Sequence, residues 1–305
     1  MHAPAAAETY KLNGREVQLD GPYLGRLREA NALLGDPQAL RARMVEDGYL
    51  LVRGLLDRET VLGARRTVLQ YLASQGQLDP SAAMMDGIPF PGKRGGYLGG
   101  RQEVTHQPGF LALAEAPALF SFFAALFGKP AQTFDYKWLR AVGAGQGTGA
   151  HYDVVYMGRG SLNLCTCWIP LGDVAFDEGP LAVLAGSHNL ESYRAVQATY
   201  GRADVDRDNI DGNFTRDPLE LVERFGGRWA TTAYRCGDVL VFGMFTMHAA
   251  LDNRSSRLRL STDLRFQPQG EPIDERWIGR QPVGNYAWRK TPVVSIEESR
   301  SAWGV

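Results

Sequence analysis

From about residue 133 onward the chain is written as short β-type runs, at 133–142, 161–169, 181–184, 239–245 and 257–266, punctuated by Gly, Pro and Asp. No helix-length periodicity alternates with them. That pattern disfavours a parallel α/β sheet and favours an antiparallel barrel or a double-sheet jelly roll. The first half reads differently. Asp36-Pro37 is an N-cap followed by Pro at the first helical position, and Gly48 can stop the helix that carries Leu40, Met44 and Val45. Tyr49 to Val52 is a strand candidate, Asp57 caps a second helix, and Pro117 to Gly128 bounds a third. The expectation is one domain over residues 1–305: a helical layer at about 20–130, a jelly-roll core at about 131–270, and a C-terminal extension at 271–305. The fold class expected is mainly β with flanking helices, a double-stranded β-helix (jelly-roll or cupin-like) barrel with an N-terminal helical layer.

Charge and cysteine content narrow the function classes. Lys and Arg number 33 against 34 Asp and Glu, so the basic excess of a nucleic-acid binder is lacking and an anionic membrane surface is weakly disfavoured. Three cysteines (165, 167 and 236) make no disulfide framework and fit a reducing cytoplasm, here that of a bacterium given the Ala, Gly and Arg richness. The N-terminus lacks a basic start followed by an apolar stretch. The most apolar segment runs from Pro117 to Phe127, short of the roughly 20 residues that span a bilayer. The segment 86–101, dense in Gly and Pro, reads as a long loop and a candidate lid.

Only five histidines occur: His2, His106, His151, His188 and His248. In His151-Tyr152-Asp153, residues i and i+2 of a strand share a face, so the imidazole and the carboxylate project together. That is half of a site for a divalent first-row metal. His248, after the run 239–245, is the natural third ligand. Two His and one carboxylate with open positions is the facial triad of non-haem Fe(II) oxygenases. Farther on, Arg259 and Ser261 share one strand face. They place a guanidinium and a hydroxyl side by side, a clamp for a carboxylate. Arg257 and Arg265 share that facing if the strand is regular.

These pieces, together with Asp47-Gly48-Tyr49-Leu50-Leu51-Val52-Arg53-Gly54, Thr166-Cys167-Trp168-Ile169-Pro170-Leu171, Glu178-Gly179-Pro180-Leu181, Gly186-Ser187-His188 and Gly237-Asp238 with Phe242, resemble the phytanoyl-CoA dioxygenase-like family of Fe(II)/2-oxoglutarate-dependent oxygenases. The resemblance spans about residues 45–266. It implies that His151, Asp153 and His248 hold Fe(II). Arg259, with Ser261 as helper, would pair with the distal carboxylate of 2-oxoglutarate. Trp168 would line the cosubstrate pocket, and Lys137 is a further candidate there. O2 is the second cosubstrate implied. Halogenases on this scaffold resemble HxG or HxA, so Asp153 favours oxygenation.

Residues near the metal motif in sequence, Tyr152, Tyr156, Met157, Arg159 and Arg140, are candidates for the substrate wall. His106, Arg101, Lys93 and Arg94 are loop candidates. His188 and Asn253 are candidates for support around the metal. The activity implied is hydroxylation or desaturation of a small metabolite, such as a natural-product intermediate or amino-acid derivative, with release of succinate and CO2. A cupin-like metal-dependent isomerase or hydrolase, or a non-catalytic metal-binding relative, is the alternative on the same three ligands.

Overall fold

The computed structural model describes residues 8–286 and 292–305. Two sheets face each other. The larger runs in the order Tyr49–Val52, Val239–Gly243, Cys165–Pro170, Arg259–Pro268, Trp138–Val142 and Gly95–Tyr97, with Ala131–Thr133 pairing the far half of Arg259–Pro268. The smaller runs Leu24–Arg26, Arg228–Thr231, Leu181–Ala185, His248–Ala250 and Thr148–His151. Pairings are antiparallel except that of Leu24–Arg26 with Arg228–Thr231. This is the expected double-stranded β-helix, as two facing sheets; among the described strands no hydrogen-bonded pairing closes them into one barrel.

Period-2 alternation assigns the faces. In Cys165–Pro170, the residues Cys165, Cys167 and Ile169 pack outward against the helices, while Trp168 joins the core between the sheets. In Arg259–Pro268, Leu260, Leu264 and Phe266 point to the helical layer. The alternate positions Arg259, Ser261, Asp263, Arg265 and Gln267 face inward and are all buried.

The helical layer forms as expected. The Asp36 side chain accepts from the Gln38 and Ala39 amides, and Gly48 ends the helix Pro37–Asp47 at φ 77°. The helix Arg58–Ser74 begins on an Asp57 cap. Phe123 of Pro117–Phe127 stacks on Phe266 at 4.2 Å. Truncating so buried a ring costs about 3–5 kcal/mol. Pro108–Ala114 runs almost directly into Pro117–Phe127. The two together make a 20-residue stretch long and apolar enough to cross a membrane by length and composition, so the sequence reading set the apolar segment too short. Phe110, Leu113, Leu119, Phe122, Phe123 and Leu126 lie in the core under the larger sheet, which accounts for that apolarity.

Other boundaries differ from expectation. Residues 24–26 contribute a strand to the smaller sheet rather than opening the helical layer. The polar segment 189–236, which interrupts the strand runs, carries the helix Pro218–Phe225 and the strand Arg228–Thr231. The loop 86–101 is partly ordered as the edge strand Gly95–Tyr97, paired with Trp138–Val142. The short strands were missed because three or four residues carry too little periodicity to register.

Candidate metal centre

Thr148–His151 and His248–Ala250 are neighbours in the smaller sheet, and His248 pairs in register with His151. The two rings lie 4.1 Å apart, centroid to centroid. Asp153 is not on the strand, contrary to the simple i, i+2 reading. The strand ends at His151, and Asp153 sits at the start of the helical turn Val154–Met157 with φ −66° and ψ −26°. The turn still brings its carboxylate back: Oδ1 lies 4.0 Å from His151 Nε2 and 3.8 Å from His248 Nε2. The three donor atoms are within 4.8 Å of one another and all three residues are buried.

The protonation pattern suits a metal. His151 Nδ1 faces the Gly149 carbonyl at 2.8 Å and His248 Nδ1 faces the Thr246 carbonyl at 3.0 Å. A carbonyl only accepts, so each Nδ1 carries the hydrogen and each Nε2 presents its lone pair to the shared point. Burial, followed by the neighbouring His248, pushes His151 down to about 3. Burial also lowers His248, against the pull of Asp153. Burial alone would raise Asp153, but Arg265, the two imidazoles and the Thr166 hydroxyl outweigh it and hold the carboxyl below its usual range. Thr166 donates to Asp153 Oδ2, and Arg265 Nη2 lies 3.2 Å from Oδ1. Two neutral imidazoles and a carboxylate, each oriented by a second hydrogen bond, fit a first-row divalent ion.

Arg259 is buried between the sheets, its guanidinium 5.8 Å over the Trp168 ring and hydrogen-bonded to Ser261 Oγ. Its Nε is buried without a partner, and among the described residues no carboxylate lies within ion-pair distance. Burial lowers it to about 10, offset in part by Asp263. A buried cation lacking a counter-ion is the arrangement a carboxylate ligand would complete.

A cavity of about 320 Å³ opens beside His151. Its wall includes Tyr97, Tyr136, Arg140, Tyr156, Asn213 and Tyr286. The Tyr156 ring meets His151 edge-on at 5.5 Å. Arg140 Nε donates to Asp263 Oδ2 at 2.8 Å, and the guanidinium carbon lies 5.3 Å over the Tyr97 ring. A larger cavity of about 710 Å³, between Val154–Leu162 and the segment 194–207, has none of the three ligands in its lining.

The sequence expectations divide here. His151, Asp153, His248, Arg259, Ser261, Trp168, Tyr156 and Arg140 come together around one interior. Others do not. Lys137 occupies the strand side opposite Trp138 and Arg140, where its ammonium donates to the Phe134 carbonyl, so the cosubstrate role expected for it is corrected. Tyr152 is buried in the outer cluster of the smaller sheet, donating to the Ser187 carbonyl. Arg159 is held by Asp204. His106 ends a short helix and contacts Thr105, and Arg101 is an exposed neighbour of Glu103. Neither lines the cavity, nor do Lys93 and Arg94.

His188 Nε2 faces the Val45 carbonyl at 2.8 Å, with Gly48 packed on its ring, which is a turn role away from the metal. Asn253 builds the turn before Arg259: its amide donates to the Val142 and Arg257 carbonyls, and its Oδ1 accepts from Ser255. Sequence reasoning missed Asp263, Tyr97, Tyr136, Asn213 and Tyr286. The polar alternation along 259–267 was a usable signal for Asp263; the cavity residues come from distant segments and offered none.

The phytanoyl-CoA dioxygenase (PhyH) family model matches residues 44–261. The 1-deoxypentalenic acid 11-beta-hydroxylase of Streptomyces exfoliatus is 26% identical over 259 residues, covering 79% of this chain and 84% of that relative. Among solved structures, the epimerase SnoN in complex with Fe3+, alpha ketoglutarate and nogalamycin RO aligns with a TM-score of 0.57 at 21% identity, over 85% of this chain and 96% of that one. EctD from S. alaskensis, solved with 2-oxoglutarate and 5-hydroxyectoine, aligns with a TM-score of 0.55 at 18% identity, over 96% and 94% of the two chains. At these identities the structural likeness establishes a shared fold.

Proposed function

The chain belongs to the phytanoyl-CoA dioxygenase family, and from that premise we propose that it is an Fe(II)- and 2-oxoglutarate-dependent oxygenase that hydroxylates a small-molecule metabolite, releasing succinate and CO2. One observation carries the reading: three buried donors converge on a point between the sheets, and a buried arginine with no counter-ion among the described residues shares that interior. A hydrolase, or an isomerase that uses no 2-oxoglutarate, has no need of Arg259 on the same ligands. The hydroxylase relative at 26% identity favours hydroxylation over other oxidative outcomes.

His151 Nε2, His248 Nε2 and an Asp153 oxygen would hold the iron. Bound there, iron supplies the redox chemistry that couples O2 and 2-oxoglutarate to oxidation of a substrate C–H bond. The rest falls to the protein. Arg259, with Ser261, binds the distal carboxylate of 2-oxoglutarate, and the Trp168 ring flanks the clamp. Tyr97, Tyr136, Tyr156 and Tyr286 wall the cavity beside His151, excluding water and presenting substrate. Arg140, tied down by Asp263, offers a fixed polar group in that wall. Orientation and exclusion are what a protein adds to such chemistry. The relatives are proteins of Streptomyces, and a bacterial cytoplasmic enzyme acting on a natural-product intermediate is the setting proposed.

The test is anaerobic addition of Fe(II) and 2-oxoglutarate, read as a weak visible charge-transfer band. It is followed by a succinate assay across a metabolite panel. Folded protein that shows no band overturns the reading.

A further inference from the structure

Resting on the oxygenase reading above, we propose that Arg265 is a positioning residue of the metal centre: it shares the Asp153 carboxylate with the metal and supplies the positive charge that draws the dianionic 2-oxoglutarate to the site. Arg265 lies on the same inward strand face as Arg259 and is buried. Its Nη2 is 3.2 Å from Asp153 Oδ1, the oxygen toward which both imidazole Nε2 atoms converge. The guanidinium is fixed from two further sides. Its carbon sits 5.0 Å over the Trp138 ring, and Nε faces Met157 Sδ at 3.0 Å. Asp263, two positions earlier on the same face, already accepts from Arg140. Among the described residues, Asp153 is therefore the carboxylate within ion-pair distance of Arg265. Among the described residues, Nη1 of Arg265 is buried with no hydrogen-bond partner.

The charge arithmetic gives the role a signature. Two neutral imidazoles and one carboxylate sum to −1, and Arg265 cancels it. A divalent ion then leaves +2, rather than +1, facing a cosubstrate with two carboxylates. Arg265 also competes with the metal for Asp153 Oδ1 and repels the cation. Removing its charge therefore weakens 2-oxoglutarate binding without weakening metal binding in proportion. A merely structural arginine would lose both together.

The experiment compares the full-length wild type with Arg265→Gln and Arg265→Lys. Co(II) is the metal probe, read by visible absorption, and 2-oxoglutarate is then titrated onto the Co(II)-loaded proteins. Arg265→Gln should weaken 2-oxoglutarate by about tenfold or more beyond any change in Co(II) affinity. Arg265→Lys, which keeps the charge, should hold it within about threefold. Losses of Co(II) and 2-oxoglutarate by the same factor, or unchanged 2-oxoglutarate affinity in Arg265→Gln, overturn the proposal. If the Gln variant does not fold, the Lys variant decides: retained affinity supports the charge role, and a tenfold or greater loss refutes it. Wild type that binds neither Co(II) nor 2-oxoglutarate sinks the oxygenase reading itself. Normal binding by wild type and both variants removes only the role of Arg265.

Discussion

His151 and His248 are direct cross-strand partners in the smaller sheet, with their rings 4.1 Å apart and each Nδ1 committed to a backbone carbonyl. The sheet register, and not proximity in sequence, makes the metal site. His248→Ala should therefore abolish metal binding while the fold persists. At Co(II) a hundredfold above its Kd, wild type gains about 2.7 kcal/mol of unfolding free energy; the variant should gain almost none. Thermal unfolding with and without the ion measures this, and an undiminished shift would place the metal elsewhere.

Arg259 is predicted to trade stability for binding. Arg259→Met removes a buried cation that has no carboxylate partner among the described residues, so the ligand-free variant should be as stable as wild type or slightly more so. Its 2-oxoglutarate affinity should fall by about 10- to 100-fold, since hydrogen bonds to charged groups contribute about 1.5–3 kcal/mol. Unfolding in denaturant and titration of 2-oxoglutarate give the two numbers. A variant destabilised by several kcal/mol with normal affinity would show Arg259 to be structural.

Acid should release the C-terminal helix Ile296–Trp303. Arg300 hydrogen-bonds to Glu220, and with Arg224 and Thr215 it holds that carboxyl down to about 2 from an ordinary 4.5, against the opposing effect of burial. The folded value is depressed, so the unfolded chain binds the proton first. The contribution is complete above about pH 4.5 and is lost as pH falls toward 2. Protection of the 296–303 amides, taken relative to exchange of the unstructured chain at each pH, should fall over that window. Glu220→Gln should remove the dependence and raise exchange there at neutral pH by an amount worth about 1–3 kcal/mol. Protection that does not respond to pH would exclude the pair as the clasp.

Gly48 couples the helical layer to the turn that carries His188. It ends Pro37–Asp47 in the left-handed region, and a Cβ there would stand 2.4 Å from His188 Nδ1. Gly48→Ala should cost about 1–3 kcal/mol. Adding His188→Ala should relieve the clash but not the backbone strain, so the double variant should recover only part of the loss. Additive effects in a double-mutant cycle would show that the two residues do not interact.

Legibility followed the length scale of each signal. The capped helices were readable because Asp36, Pro37, Gly48 and Asp57 act on their own backbone neighbours. The triad was readable because five histidines leave few ways to build it. Lys137 and Tyr152 were misplaced because closeness in sequence says nothing of which side of a strand or turn a side chain takes. Asp153 reached the site by a helical turn that the period-2 rule does not contain.

The sequence by itself determined the β-rich second half, the helical layer and the chemistry available to the site, since propensity, capping and residue type are local properties. Tertiary structure alone decided that Arg265 meets Asp153, that Asp263 is taken by Arg140, and that tyrosines from distant segments wall one cavity. These depend on strand register and on how two sheets face each other. They are set by the cooperative burial of side chains far apart in the chain, which no single segment encodes.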